Sequence, residues 1–251
     1  MMSSLLFKVK NVFSKRGNVY LKSQFDDRDR ILTIVFSSIP QKPMLHSFEG
    51  SCIRVYEDSV SQKWLKGTRK SNTASGGWFF GNVTQTMRVL SAEIDKRHWR
   101  KIVFLGSSKS GFAALLYAHF FAIKYPTKKV GCVAYSPATF LQSSRQFEHD
   151  HGPSLAQMRS AGFLKDIFER YGDLAMLLED SPIHKALLVY SKGFEDDFVD
   201  FKRMRPLSFA KGVEVISSEM EKVKLHPHLT LEFMWRHNRK RFYELINESV
   251  A

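Results

Sequence analysis

The stretch VFLGSSKSGFAALLYAHFF, residues 103–121, places two glycines, three serines and a lysine between a short apolar run and a longer one. The first run is typical of a β-strand that ends at a glycine. The second is apolar nearly all round, which predicts a buried helix. The loop between them could bind a phosphate, expose a nucleophile or simply connect two elements. The fold and the function that we predict depend on this choice.

A phosphate site is excluded by the position of the lysine. A phosphate-binding loop requires G-x-x-x-x-G-K-[ST], in which the lysine follows the second glycine and reaches the phosphates. Gly106 and Gly111 have this separation, but Phe112 follows them and the lysine lies inside the loop at position 109. The dinucleotide fingerprint G-x-G-x-x-G is also absent from the stretch. We therefore predict no nucleotide and no other cofactor.

The loop fits better to the pattern G-x-S-x-G, a sharp strand-to-helix turn that exposes a serine hydroxyl at the edge of a sheet. Gly106 and Ser108 fill the first and central positions, and Ser110 replaces the second glycine, with Gly111 one residue later. Serine is the next small residue, so the strand and the helix can still approach each other. An ordinary connection rich in small residues is the alternative. The apolar strand before the loop and the buried helix after it favour Ser108 as a nucleophile.

Strand and helix patterns alternate along the rest of the chain. The predicted strands are 6–13, 18–25, 31–39, 51–58, 101–106, 129–137, 185–191 and 212–218, the first two forming a hairpin that turns at 14–17. The predicted helices are 83–96, 112–125 and 229–246, with a further helical segment at 198–204. This alternation predicts an α/β fold with a mainly parallel central sheet of about eight strands and helices on both faces. We expect a single domain, 1–251, in which 139–182 forms a short helical cap.

Residues 104–118, FLGSSKSGFAALLYA, resemble the nucleophile elbow of the α/β-hydrolase fold. They are most similar to its compact, esterase-like members and to the hydrolase-like proteins of polysaccharide-biosynthesis and glycoprotein-export systems. The resemblance is sharp over 100–118 and architectural elsewhere. It implies a serine esterase or deacylase that acts through an acyl-enzyme on a small acyl ester, with a carbohydrate as the suggested carrier of the acyl group. An acyltransferase, a thioesterase and a non-catalytic scaffold of the same fold are the alternatives.

A serine nucleophile needs a base that is itself held by a carboxylate. In α/β-hydrolases these residues follow the serine in the order Asp or Glu, then His. The acid is therefore expected after the predicted strand 185–191. Asp197 and Asp196 are the leading candidates there, and Glu195 and Asp200 are the alternatives. An acidic turn exposed to solvent would explain the same residues without a catalytic role.

The base is expected between the last predicted strand and the final helix. His228 and His226 lie there, separated by a proline, and His228 ranks first because it borders the helix directly. A helix-capping or surface histidine is the alternative for each. An oxyanion hole would combine the main-chain N–H of Lys109 with that of Ser38 or Ile39, which follow the third predicted strand.

Two further clusters allow more than one interpretation. Trp78 and Phe79 lie in a glycine-flanked loop and could line a substrate pocket, although they could equally fill the core. His149 and His151 flank Asp150, but no third ligand of suitable spacing accompanies them. We interpret that cluster as a solvated loop and predict no metal site.

The composition indicates a folded, strongly basic protein. Of 251 residues, 43% are hydrophobic, which supplies enough material for one large core, and 38 Lys and Arg against 25 Asp and Glu give a formal charge of +13. The positive charge is densest at 66–70, 95–101 and 236–241. It favours a partner such as an acidic polymer or an anionic membrane surface, with simple solubility as the alternative. No nucleic-acid-binding motif accompanies it, so we predict no specific nucleic-acid partner.

Hydropathy and cysteine content indicate a cytoplasmic protein. No run of about 18 apolar residues is present, and the apolar start of the chain is interrupted early by a lysine. Cys52 and Cys132 both lie in strand-like runs. We expect them to be buried thiols in a reducing compartment, without a disulfide between them.

Overall fold

Eight strands of the chain pair into one sheet. The structure, a computed structural model, describes residues 10–16, 19–27, 29–37, 48–56, 83–140, 169–191, 195–209, 213–218 and 230–251. The strands are β1 (Lys10–Arg16), β2 (Val19–Phe25), β3 (Ile31–Ser37), β4 (Cys52–Tyr56), β5 (Lys101–Ser107), β6 (Lys129–Tyr135), β7 (Lys185–Ser191) and β8 (Val213–Ser218). They lie in the order β1-β2-β4-β3-β5-β6-β7-β8. β2 is antiparallel to both of its neighbours and the other pairs are parallel, which confirms the predicted sheet.

The opening hairpin differs from its prediction. The pattern places its turn at 14–17, but β1 continues through Arg16, which pairs with Val19. A strand ladder is made by main-chain N–H and C=O groups, so the polar residues 14–16 can extend it as well as apolar ones. Only residues 17 and 18 therefore separate the two strands.

The helices of the described ranges are α1 (Val83–Ile94), α2 (Lys109–Lys124), α3 (Leu174–Glu179), α4 (Glu195–Met204), α5 (Thr230–His237) and α6 (Arg239–Glu248), and a 3-10 turn (Arg205–Phe209) follows α4. The apolar periodicity predicts one helix over 229–246, and this prediction is wrong. The chain leaves the helical conformation at Asn238, with φ −135° and ψ 52°, so that α5 and α6 are separate helices. Asparagine is favoured at such a boundary because its short polar side chain competes with helical hydrogen bonding.

The sheet is covered on both faces. Successive side chains of a strand point to opposite faces. Ile102 and Phe104 accordingly belong to the core on the α2 side, and Val103 and Leu105 belong to the core formed with α5 and α6. The α2 helix is buried almost throughout, as its sequence predicts. Its position places its N-terminus directly at the end of β5.

The helical cap predicted over 139–182 is described only at its two ends. Phe140 forms an isolated antiparallel bridge with Asp173, and α3 begins immediately afterwards. Residues 141–168 lie outside the described ranges. The cap therefore stays a prediction.

Both cysteines are buried, free thiols, as predicted. Burial raises the pKa of the Cys132 thiol well above its usual range and also raises the pKa of Cys52. Both side chains are therefore protonated at neutral pH. In the part of the chain that the structure describes, no helix is long and apolar enough to cross a membrane.

Candidate active site

Ser108 occupies a strained turn between β5 and α2. β5 ends at Ser107, α2 begins at Lys109, and Ser108 between them has φ 53° and ψ −125°. A positive φ is uncommon for a residue with a Cβ atom and costs about 1–3 kcal/mol. Among the described non-glycine residues only Ser108 and Ser136 have one. The conformation is the sharp strand-to-helix turn that the sequence predicts at this serine.

Two main-chain hydrogen bonds hold Ser108 in this conformation. Its N–H donates to the carbonyl of Tyr135 at the end of β6, over 2.9 Å. Its own carbonyl accepts from the N–H of Phe112 in the first turn of α2, over 3.0 Å. A strained residue persists only where its surroundings determine its position from more than one side. Here the neighbouring strand and the following helix do so together.

Gly106 is required by the close approach of the helix to the strand. A Cβ atom at this position would lie 2.1 Å from the carbonyl oxygen of Ser110 and 2.4 Å from its carbonyl carbon. Both are main-chain atoms, so they cannot rotate away. A Cβ at Gly111 would lie 3.1 Å from the Cβ of Pro137, in the loop after β6, so the start of α2 also packs tightly against that loop.

Exposure distinguishes Ser108 from the two serines beside it. From Ile102 to Ala118, every residue except Ser108 is buried. The hydroxyls of Ser107 and Ser110 are buried and have no hydrogen-bond partner in the described structure. Serine at position 110 is thus accommodated in place of the glycine of the pattern, with its hydroxyl unpaired. Only the hydroxyl of Ser108 belongs to a residue that solvent or a substrate can reach.

The parallel strands bring the ends of β3, β5, β6 and β7 to the same edge of the sheet as Ser108. Ser107 pairs with Tyr135 of β6, and Tyr135 pairs with Val189 of β7. β3 lies on the other side of β5 and ends at Ser37, immediately before the predicted oxyanion-hole residues Ser38 and Ile39. Those two residues themselves lie outside the described ranges.

The acidic candidates lie in a helix and not in a turn. α4 begins at Glu195, so Glu195, Asp196 and Asp197 form its first turn, four residues or more beyond the end of β7. The side chains of these three residues are outside the described part of the structure. Carboxylates in the first turn of a helix also interact favourably with its dipole, which is a structural reason for their presence.

The remaining predicted site residues are not described. His226 and His228 lie between β8 and α5, and Trp78 and Phe79 lie before α1. The cluster of His149, Asp150 and His151 also falls outside the described ranges. Among the described residues there is no group of three or more His, Cys, Asp or Glu side chains that could hold a metal ion.

Asp200, the last of the acidic candidates, makes contacts that the sequence did not indicate. Its carboxylate accepts hydrogen bonds from the hydroxyl of Thr139 and, over 3.3 Å, from the Thr139 N–H. Arg203, one turn later, donates to the Thr139 carbonyl over 3.2 Å and forms an ion pair with Asp173 over 2.5 Å. The guanidinium of Arg203 also lies 4.2 Å from the centre of the Phe140 ring. No local sequence signal reveals this network, because its members are far apart in the chain.

The network fixes the loop that follows β6, and this loop contacts the elbow. The loop begins at Ser136, which has φ 43° and whose N–H donates to the carbonyl of Val189 over 2.7 Å. Pro137 of the loop packs against Gly111 of α2. Thr139, at the far end of the loop, is fully buried. Asp200 and Arg203 therefore tie α4 to the segment that supports the start of α2.

Comparison with known proteins places this arrangement in a known fold. No protein-family model and no curated protein matches the sequence. Among solved structures, the chain is similar to a histidine mutant of the capsule O-acetyltransferase of Neisseria meningitidis serogroup A in complex with CoA (TM-score 0.63, 14% identity, 94% of each chain covered). It is also similar to an esterase of Pyrobaculum calidifontis (TM-score 0.60, 14% identity, covering 97% of this chain and 86% of that one). An S-formylglutathione hydrolase of Agrobacterium tumefaciens has a TM-score of 0.58 at 12% identity, with 96% and 95% of the two chains covered.

The chain has the α/β-hydrolase fold. The likeness extends over nearly the whole length of the chain and of these neighbours. It confirms the fold that the sequence around Ser108 predicts. At identities of 12–14% the likeness shows the fold alone.

Proposed function

We propose that the protein is a serine esterase that removes small acyl groups, such as acetyl, from a carbohydrate. The observation that carries the proposal is the conformation and exposure of Ser108. It is the one residue between Ile102 and Ala118 that is not buried, and it stands in a strained turn at the end of a central strand. The esterases among the structural neighbours support the same class of reaction.

The proposed first half-reaction is acylation of Ser108. The Ser108 oxygen attacks the ester carbonyl carbon while His228, or in its place His226, takes the hydroxyl proton. The resulting oxyanion is stabilised by the main-chain N–H of Lys109 and by that of Ser38 or Ile39. Lys109 is the first residue of α2, so the dipole of this 16-residue helix also favours negative charge there. The carbon–oxygen bond to the alcohol then breaks, and the leaving alkoxide takes the proton from the imidazolium.

The second half-reaction releases the acyl group. The same histidine takes a proton from water, the water oxygen attacks the acyl carbon, and the bond to Ser108 breaks as its oxygen regains the proton. Asp197, or in its place Asp196, holds the histidine ring in the orientation that both steps need. Trp78 and Phe79 are proposed to contact the substrate.

A second candidate is transfer of the acyl group to a sugar hydroxyl. It is favoured by the similarity to the capsule O-acetyltransferase in complex with CoA, because the likeness covers 94% of both chains. The chemistry at Ser108 is the same, with a sugar hydroxyl in the place of water. The formal charge of +13 would suit either an acidic saccharide or the phosphates of CoA.

A fluorophosphonate probe tests the nucleophile. We expect it to label the wild-type protein and the variants Ser107→Ala and Ser110→Ala, whose lost hydroxyls are buried. It should not label Ser108→Ala, and mass spectrometry should place the adduct on residue 108. A folded wild-type protein that resists the probe at neutral pH would favour the non-catalytic scaffold instead.

The acyl acceptor is identified with the wild-type protein that has not been treated with the probe. With p-nitrophenyl acetate and water alone, an esterase turns over many times. A transferase releases p-nitrophenol or free CoA at a useful rate only when a saccharide is added, and acetylated saccharide accumulates. A thioesterase would prefer acyl thioesters to oxygen esters in the absence of any saccharide.

A further inference from the structure

A row of cations lies along the edge of the sheet opposite to Ser108, where the parallel strands begin. Arg30 directly precedes β3, Arg100 and Lys101 stand at the start of β5, and Lys128 directly precedes β6. The register pairs Ile31 with Lys101 and Lys101 with Lys129, so the residues that precede them, Arg30, Arg100 and Lys128, lie at the ends of adjacent strands about 4.8 Å apart. α2 ends beside them at Lys124, because it runs back from the opposite edge. We call Arg30, Arg100, Lys101, Lys124 and Lys128 the amino-edge patch.

The amino-edge patch differs from the cations around it in its ion pairing. Among the described residues, none of its five members forms an ion pair with a carboxylate. Cations just outside it do form such pairs, namely Arg97 with Asp27, Lys96 with Glu93 and Lys185 with Glu214. The exposed His98 adds a further basic group beside Arg100.

One carboxylate close to the patch, Asp95, accepts a hydrogen bond from the hydroxyl of Tyr125 over 2.8 Å. The ring of this tyrosine is near two patch lysines, with its centre 5.7 Å from the Lys124 ammonium and 5.5 Å from that of Lys128. Lys128 also donates to the main-chain carbonyl of Trp99 over 2.9 Å. Like charges on adjacent strands repel each other, and an anionic partner would relieve that repulsion.

An exposed apolar side chain lies next to these cations. Ile123, in the last turn of α2, is 58% exposed. It is one of three exposed large hydrophobic residues in the described structure. It directly precedes Lys124, and the exposed Pro126 follows within the same short segment. An apolar side chain among lysines and arginines is typical of surfaces that insert into the headgroup region of an anionic bilayer. A soluble polyanion would gain no affinity from contact with the isoleucine side chain.

We propose that the amino-edge patch docks the protein onto an anionic phospholipid bilayer, with Ile123 entering the headgroup region. β5 runs from the patch to the elbow, and its seven residues span about 23 Å. Ser108 therefore faces away from the bilayer. The docked enzyme would act on water-borne substrates close to the membrane and not on the lipids themselves.

Vesicle co-sedimentation tests the proposal. The full chain is mixed with vesicles of phosphatidylcholine alone or with about 30% phosphatidylglycerol, at about 0.1 M salt. We expect binding to the anionic vesicles only. Arg100→Gln combined with Lys101→Gln should weaken it roughly 30-fold, since each cation near such a surface contributes about a factor of five. Ile123→Ser should weaken it several-fold at unchanged net charge.

The matched control removes two charges elsewhere. Arg88 and Arg205 are exposed and lie outside the patch, on α1 and on the turn after α4. Arg88→Gln combined with Arg205→Gln should retain binding within a few-fold. Equal losses in the two double variants would mean that overall charge alone drives binding, and the proposal would be wrong. Absence of wild-type binding to the anionic vesicles would also overturn it.

Binding of a soluble acidic polysaccharide tests the alternative partner, a polyanion in solution. If it binds with the same dependence on Arg100 and Lys101 while vesicles do not bind and Ile123→Ser has no effect, the patch is a polyanion site and the lipid proposal fails. The patch variants should melt like the wild type and keep its p-nitrophenyl acetate turnover. A protein that binds vesicles but hydrolyses no ester would contradict the proposed function and leave the docking proposal intact.

Discussion

The carboxylate of Asp200 accepts hydrogen bonds from both the hydroxyl and the main-chain N–H of Thr139, a fully buried residue 61 positions earlier in the chain. These contacts bind α4 to the loop after β6. Asp200 therefore has a structural task. The side chains of Asp196 and Asp197, one turn earlier in the same helix, lie outside the described structure, and we predict that one of these two, and not Asp200, is the acid of the triad.

Substitution of each aspartate by asparagine tests this prediction. An amide oxygen can still accept both hydrogen bonds from Thr139, so Asp200→Asn should keep kcat within about tenfold and change the melting temperature little. Either Asp197→Asn or Asp196→Asn should lower kcat about 10⁴-fold, as loss of a triad carboxylate does. Steady-state kinetics with a p-nitrophenyl ester measure both effects.

The outcome that contradicts this assignment is a large loss of kcat in Asp200→Asn with a normal melting temperature. That result would make Asp200 the acid of the triad. Asp200→Ala serves as the structural control. It leaves the buried Thr139 hydroxyl without its acceptor, and we expect it to lower the free energy of unfolding by about 1–3 kcal/mol.

The strain at Ser108 predicts opposite effects on stability and activity. Ser108→Ala removes the hydroxyl and keeps a Cβ atom at φ 53°, so its stability should be close to that of the wild type. Ser108→Gly removes the strain as well. Because glycine also gains freedom in the unfolded chain, we expect it to be more stable than Ser108→Ala by about 1 kcal/mol. Neither variant should turn over ester.

Urea denaturation of the two variants, followed by circular dichroism, measures this difference. The comparison of glycine with alanine excludes any contribution of the serine hydroxyl. A Ser108→Gly variant less stable than Ser108→Ala by about 1 kcal/mol, which is the entropic cost of glycine alone, would show that the turn at Ser108 stores no strain.

Gly106 and Gly111 should respond very differently to alanine. Gly106→Ala forces a Cβ atom to within 2.1 Å of a main-chain oxygen, so the strand and the helix must separate, at a cost of several kcal/mol. At Gly111 the nearest contact is the Pro137 side chain at 3.1 Å, and alanine favours the helix by about 1 kcal/mol. Gly111→Ala should therefore change the free energy of unfolding by less than about 1 kcal/mol. The midpoints of urea denaturation of the two variants test these predictions. A loss of stability in Gly106→Ala as small as that in Gly111→Ala would contradict the close packing of β5 against α2.

His119 should make stability depend on pH. Burial lowers the pKa of its imidazole below the ordinary value of 6.5, so the folded protein binds this proton less readily than the unfolded chain. The corresponding stabilisation is complete above pH 6.5 and is lost as the pH falls through the lower pKa of the folded state. Because the ring is only partly buried, we expect a small effect. The difference in free energy of unfolding between the wild type and His119→Gln should grow from acidic pH to pH 7.

Ser181→Ala is the control for this prediction. The Ser181 hydroxyl lies 2.9 Å from Nδ1 of His119, but burial and not this contact lowers the pKa. The variant should therefore keep the wild-type dependence on pH. If the free energies of unfolding of the wild type and of His119→Gln changed with pH in the same way, the prediction would be contradicted.

Much of the fold could be predicted because its elements are local patterns. The last six strands begin and end within two residues of the predicted positions, and α2 is buried as its apolar sequence requires. The positions of the hairpin turn and of the end of α5 could not be predicted from local sequence patterns. Ladder pairing tolerates the polar residues 14–16, and the apolar periodicity continues across Asn238 although its backbone does not.

The sequence by itself determined the elbow. Two small residues around a serine, between a strand and an all-apolar helix, are sufficient to predict the turn at Ser108, because strand and helix meet there within a few residues. The tertiary structure alone decided which residues far apart in the chain come together. The contacts of Asp200 and Arg203 with Thr139, and the cations that stand side by side at the amino edge, depend on strand order and register. Those are set by how the whole core packs, and no short stretch of sequence contains them.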